Sequence, residues 1–271
     1  MKTDLVFVSV WCEGARCATT RIMPTSDSSP PRVEVQPFAV YWPQWHATPL
    51  NDYWFYPGYT DWELLCDYLR GKDSRNRLNE RLVAPQQPPD GLGWYNLTDV
   101  SVRKRQAQLA KEFGVYGFAI YHFWFARDPA WGKPASWGTA DVGADMDETL
   151  MAMLEDGEPD IPFYFIWANE HFVKKWKNWG HHNDSRMAAL PRGGMQVEQT
   201  FPESSWRPHF DYLLRFFRLR NYHRINGRPV LGLHSLNLPD EKMWKHFQAW
   251  ARDAGLPGIH VLLHDPNAVI N

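Results

Sequence analysis

Short unbroken apolar runs alternate along this chain with longer stretches in which apolar positions recur every three or four residues. The first pattern suits strands buried on both faces, the second amphipathic helices packed upon them. The plainest strand is Phe163-Tyr164-Phe165-Ile166-Trp167, preceded by Gly157 and Pro162 and followed by Ala168-Asn169-Glu170-His171. Residues 33–41, 115–121, 229–233 and 259–263 read the same way, with Pro37 marking a bulge or an unusual start, and residues 195–199 are a weaker candidate. Between them, Val102, Gln106, Leu109, Ala110 and Phe113 form one helical face behind an Asp99 N-cap, with Gly114 as its stop. Met146, Leu150, Met153 and Leu154 form another, ending before Gly157. Trp206, Phe210, Leu213, Leu214 and Phe217 make the cleanest amphipathic helix, and Asp240 caps the last, with Met243, Phe247, Trp250 and Ala251 inward and Gly255 as its stop.

Strand, helix, strand at this spacing predicts parallel βαβ units. The expected fold is therefore α/β, a (β/α)8 TIM-type barrel, and an incomplete one: about six strands are present where eight are needed, so the C-terminal units are missing. Residues 1–32 read as an N-terminal tail ending in the linker-like Ser26-Asp27-Ser28-Ser29-Pro30-Pro31, and residues 33–271 as the partial barrel. Residues 47–97, rich in Pro, Asn, Tyr and Trp with one short helix near residues 61–70, form an insertion expected to act as rim or lid.

The charge balance narrows the partners. With 29 basic and 31 acidic residues, net charge −2, the 271-residue chain has no footprint for nucleic acid. No apolar run approaches the roughly 18 residues of a membrane span. The run Leu5–Trp11 is short for a secretory leader and Asp4 adjoins it, which favours the cytoplasm slightly over a secretory lumen. In a lumen the sequons at Asn96 and Asn183 would matter. Cys12, Cys17 and Cys66 cannot make a disulfide framework, and free thiols are expected over a Cys12–Cys17 bridge. Nothing in the sequence sets the oligomeric state.

The 15 tryptophans change the picture more. Most will be core, but an indole offers a flat apolar face and one N–H donor, which suits a sugar ring. Parallel sheets deliver ligand-binding groups just past the carboxyl ends of their strands. His46, His122, His171, His234 and His264 all follow predicted strands. They lack HxH or HExxH spacing, and their mixture with Asn, Gln and Trp suits hydroxyl recognition. No metal or cofactor is expected, with a metal-dependent hydrolase as the alternative. Glu170 is the candidate acid/base: Trp167 and Trp176 would enclose it in an apolar setting that favours a general acid. Against this stands a surface carboxylate paired with Lys174 or Lys175, a basic pair that could otherwise meet a phosphate or a sugar acid. Glycoside cleavage usually needs a second carboxylate, for which Glu198 and Asp265 are the candidates. Gln44, His122 and Glu170 are expected to converge on one ring-lined hollow.

The segments PFAVYWPQWHATPLND, GYTDWELL, GWYNLTDVSVRKRQAQLAKEFGVYGFAIYHFWF, PFYFIWANEHFVKKW and RINGRPVLGLH occur in an order that resembles the WbsX-like family of glycosyltransferases. That family is itself similar to the glycoside hydrolase family 99 endo-α-mannosidases. The resemblance runs from about Val35 onward and implies a (β/α)8 barrel acting on an oligosaccharide or polysaccharide at its C-terminal face. It implies that Tyr41, Gln44, His46, Trp62, Tyr121, His122, Trp124, Asn169, Glu170 and Trp176 line that site, to which the strand-end pattern adds Trp167 and His234. Asn169 is expected to bind a hydroxyl. Where the family usually continues with Asn-Trp and an arginine pair, this sequence has His171-Phe172 and Lys174-Lys175, and lysine lacks the guanidinium fork. The family's later Trp-Asn-Glu-Trp-type segment has no counterpart before Asn271. Two expectations follow: glycosyl transfer or endo-glycosidic cleavage, or a non-catalytic sugar-binding homologue or fragment without the carboxylate pair.

Overall fold

A computed structural model describes residues 35–54, 56–69, 84–85, 87, 91–126, 142–173, 195–197, 199–235 and 240–264. The tail 1–32, Trp176, the Lys174-Lys175 pair, Glu198 and Asp265 lie outside the described residues. The strands are β1 (Phe38–Tyr41), β2 (Gly117–Ala126), β3 (Val142–Asp145), β4 (Phe163–Trp167), β5 (Phe172–Val173), β6 (Met195–Val197), β7 (Arg224–Ile225), β8 (Arg228–Leu233) and β9 (His260–Leu263). The helices are α1 (Pro49–Trp54), α2 (Trp62–Leu69), α3 (Val100–Glu112), α4 (Glu148–Asp156), α5 (Glu203–Phe217) and α6 (Glu241–Asp253).

The fold is α/β. Five strands pair in parallel in the order β1-β2-β4-β8-β9, each beside its predecessor in that series. α3, α4, α5 and α6 fall in sequence between successive members. The sixth candidate, residues 195–199, does contain a strand, but β6 pairs antiparallel with β5 in a separate two-stranded sheet. β2 also runs further than the predicted 115–121, because its second half finds an antiparallel partner in β3. His122, Phe123 and Trp124 are thus interior positions of a strand rather than the first residues after one.

The expected caps form. Asp99 accepts from the Ser101 amide at 2.8 Å and Asp240 from the Lys242 amide at 2.7 Å, each satisfying a donor that the first helical turn leaves unpaired. Gly157 closes α4 with φ 74°, a left-handed conformation that favours glycine. The registers Tyr121↔Ile166↔Gly232↔Leu262 and His122↔Trp167↔Leu233↔Leu263 define adjacent rows across the sheet. Because successive side chains take opposite faces, the second row belongs to the face covered by α5 and α6 and the first to the inner face, away from them. The core lies on the helix side, where Phe165, Trp167, Phe210, Leu213, Phe216 and Phe247 are buried. Where β1 and β2 meet, Gly117 is obligatory: a Cβ there would stand 2.3 Å from the Pro162 carbonyl oxygen and 2.6 Å from Phe38.

Candidate functional site

The parity of each strand sorts the predicted site residues into two groups. On the inner face, the Tyr121 hydroxyl lies 3.2 Å from Nδ1 of His234, and Nε2 of His234 lies 3.6 Å from Oε1 of Glu170. The second separation is an ion-pair distance, longer than a hydrogen bond. A carboxylate facing Nε2 favours the tautomer protonated there, so Tyr121 donates to Nδ1 and the imidazole presents its N–H to Glu170. Burial, and next to it the Glu170 charge, hold the Tyr121 hydroxyl above its ordinary range, so it remains a donor. The Glu170 side chain keeps 39% of its surface exposed, enough for a ligand to reach.

Two elements fix this group. Asn169, fully buried, brackets the ends of β4 and β8: its Nδ2 donates to the Ser235 carbonyl at 2.9 Å and its Oδ1 accepts from the Ser235 amide at 2.8 Å. The amide thus serves to bring Glu170 beside His234. Trp42, which follows β1, sets its ring edge-on to Tyr121 and Phe123, with centroids 5.5 and 5.6 Å apart. Its indole N–H reaches Oδ2 of Asp61 at 3.4 Å. Burial pushes the Asp61 carboxyl up to about 6, although the Trp42 N–H and nearby His46 pull the other way.

Gln44, His46 and Trp62 belong to the loop and helix beyond β1. Gln44 is buried, and its Nε2 has no hydrogen-bond partner among the described residues. His46 is buried, with Nε2 3.4 Å from Oε2 of Glu148 and Nδ1 3.5 Å from the Thr149 hydroxyl. Trp62 packs with Trp45, Trp94 and Tyr95 and donates to the Tyr95 carbonyl at 2.8 Å. These contacts join Trp45, in the loop after β1, to Trp62, Trp94 and Tyr95 of residues 47–97 in one aromatic cluster.

The second group takes the other face. His122 is fully buried, with Nε2 2.9 Å from Nε2 of His209 on α5. Trp124 stacks on the same His209 at 4.7 Å, and Trp167 meets it edge-on at 4.5 Å. Tyr41 donates to Gln106 of α3 at 2.8 Å and packs on Phe118. The structure therefore does not bring His122 to Glu170, contrary to the expected convergence of Gln44, His122 and Glu170. Nor does Trp167 enclose Glu170: its ring is buried on the helix side against His209, Phe201 and Trp244. His171 follows Glu170 and accepts from the Gln199 amide at 3.0 Å. Among the described residues, no three His, Cys, Asp or Glu side chains are grouped to hold a metal ion.

Sequence reasoning passed over Trp42, Asp61 and Tyr164 as site residues, and it counted His264 among the strand-end histidines without seeing its partner. The residues themselves carried a weak signal: Trp42 opens the polar stretch after β1, and His264 shares its place after a strand with His234.

The model of the family described as "Glycosyltransferase WbsX" matches residues 37–269. The chain belongs to this family. Two relatives from strains of Xanthomonas campestris pv. campestris, each described as "Uncharacterized protein WxcX", are 27% identical over 230 residues. The match covers 82% of this chain and 27% of each relative, so the chain spans about a quarter of their length. A solved structure described as a "Glycoside hydrolase-like protein" is similar at 14% identity with TM-score 0.35, covering 67% of this chain and 47% of that one.

Proposed function

We propose that this WbsX family member transfers a glycosyl group to a sugar hydroxyl at the inner-face site, with Glu170 as the base. The observation that carries this is the Tyr121–His234–Glu170 chain, one accessible carboxylate oriented by an imidazole whose other nitrogen is held by a phenol. A base needs this arrangement, within reach of the proton it removes and fixed by a third group. As the acceptor oxygen bonds to the anomeric carbon of an activated sugar, the bond from that carbon to its leaving group breaks. The acceptor's hydroxyl proton passes to Glu170. Trp42 and Tyr121 supply ring surface for the acceptor. The five parallel strands are, in this reading, part of a (β/α)8 wall with the site at its C-terminal rim.

Endo-glycosidic cleavage is the second reading, and Asp61 is the observation that favours it. A partly buried carboxyl pushed up to about 6 keeps its proton to a higher pH than an ordinary aspartate, into weakly acidic solution, and suits the acid of a carboxylate pair.

Titrating the purified chain with α-mannan oligosaccharides while following tryptophan fluorescence tests the site, and quenching by millimolar sugar is expected. Glu170→Gln should then retain that quenching and lower turnover by about 10²- to 10⁴-fold, the usual contribution of a positioned acid or base. Turnover absent both before and after the change would instead mark a sugar-binding module without catalysis.

A further inference from the structure

Beside the Tyr121–His234 pair stands a second pair of the same make, outside the machinery described so far. Nε2 of His264, the residue after β9, lies 3.0 Å from the Tyr164 hydroxyl on β4. β8 runs between those two strands, so the imidazole must cross it. Gly232 makes that crossing available: a Cβ at this position would stand 2.7 Å from Cδ2 and 3.1 Å from Nε2 of His264, and 3.3 Å from Ile166. Its φ is not left-handed, so the position needs the absence of a side chain rather than backbone freedom. The His264 amide also donates to the Leu233 carbonyl at 2.7 Å, which ties the ring's backbone to the end of β8.

The proton positions follow from burial. The Tyr164 hydroxyl is held well above its ordinary range and stays protonated, while His264 is pushed down to about 4 by burial and by the neighbouring His234. The phenol therefore donates to Nε2, and Nδ1 carries the hydrogen of a neutral imidazole. No partner for that nitrogen stands among the described residues.

We infer that His264, carried across Gly232 and fixed by Tyr164, is a second subsite of the same inner-face site. It donates an uncharged N–H to a hydroxyl of a neutral sugar ring whose other edge meets His234 and Glu170. This rests on the reading of that face as the sugar site. The pair adds donor capacity without positive charge, beside His234, whose other neighbour is the Glu170 carboxylate, so it disfavours a phosphorylated or acidic sugar at this position. His264 is the contact and Tyr164 is a positioning residue.

The test uses the full chain, α-mannan oligosaccharides as the neutral probe and mannose 6-phosphate against mannose as the charged comparison. His264→Phe keeps a ring and removes the donor, and Gly232→Ala displaces the ring. Each should weaken binding of the neutral probe about five- to tenfold, the scale of one neutral hydrogen bond. Mannose 6-phosphate should bind no tighter than mannose. Tyr164→Phe should shift the His264 ring nitrogens in a ¹⁵N spectrum away from the Nδ1–H tautomer, a change that loss of packing alone would not produce. Unchanged affinity in His264→Phe, with the wild type binding sugar, overturns the subsite and leaves the site reading standing. Wild-type chain that binds no sugar overturns both. Mannose 6-phosphate binding tenfold tighter than mannose overturns the neutral class. Should Gly232→Ala fail to fold, His264→Phe decides alone.

Discussion

Tyr121 and His122 are consecutive residues of one strand, and so are Ile166 and Trp167, yet the two faces they supply obey different rules. On the inner face the polar groups form directed chains: Tyr121 to His234 to Glu170, and Tyr164 to His264. On the helix face Nε2 of His122 meets Nε2 of His209, and the Nδ1 atom of each, with the indole nitrogens of Trp124 and Trp167, is buried without a hydrogen-bond partner among the described residues. Burial drives His122 down to about 3 and His209 down as well, so that pair is neutral and locked. A polar residue beside a strand end is thus not a site by proximity. The faces divide the labour, one holding the fold together and the other presenting accessible donors and a carboxylate.

The largest effect that separates them is on stability. Trp167→Ala removes a fully buried indole packed on His209, Phe201 and Trp244. It should cost about 3–5 kcal/mol in denaturant unfolding. Glu170→Gln, one face over and partly exposed, should change the same measurement by about 0.5 kcal/mol or less. Equal losses in the two variants would erase the distinction.

Next in size is the acid response. His122 and His209 titrate near 6.5 in the unfolded chain and well below that in the native one. Between those values the unfolded state binds more protons, so stability falls as pH drops from about 6.5 toward 3, by up to about 1.4 kcal/mol per pH unit for each histidine. Replacing both by Phe fills the same ring positions and removes both titrations. The double variant should match the wild type near pH 7 within about 1 kcal/mol and lose less stability at pH 4. An unchanged slope with pH would assign acid sensitivity elsewhere, for instance to His223, which is also held down to about 4.

The smallest effect is Tyr121→Phe, which removes one phenol from His234. It should cost about 0.5–1.5 kcal/mol in stability, while turnover falls because His234 loses the group that fixes its ring. A variant with full turnover would show that the orientation of His234 does not depend on Tyr121.

Much of the scaffold is written locally. Asp99 and Asp240 cap, Gly114, Gly157 and Gly255 stop, and the apolar runs at Phe163–Trp167 and 229–233 are strands because each signal lies within a few residues of what it controls. What the sequence obscured depends on distant partners. β3 has only four residues, Val-Gly-Ala-Asp, without a strand signature, yet it pairs with the last four of the five residues by which β2 outruns its predicted end, His122 pairing with β4. That extension places His122 and Trp124 inside a strand, where parity sends them to α5. The carboxyl of Asp61 is half-buried beside Trp42, 19 residues earlier, and Tyr164 meets His264 across 100 residues. The aromatic richness was legible, but its partition between core and site was not, because one residue of register decides it.

The most direct test is the set of histidine side-chain resonances of the ¹⁵N-labelled chain as an α-mannan oligosaccharide is added. His234 and His264 should shift with a common saturation curve while His122 and His209 stay in place. Movement of the His122–His209 pair with His234 and His264 unchanged would put the ligand on the other side of the sheet and contradict the account.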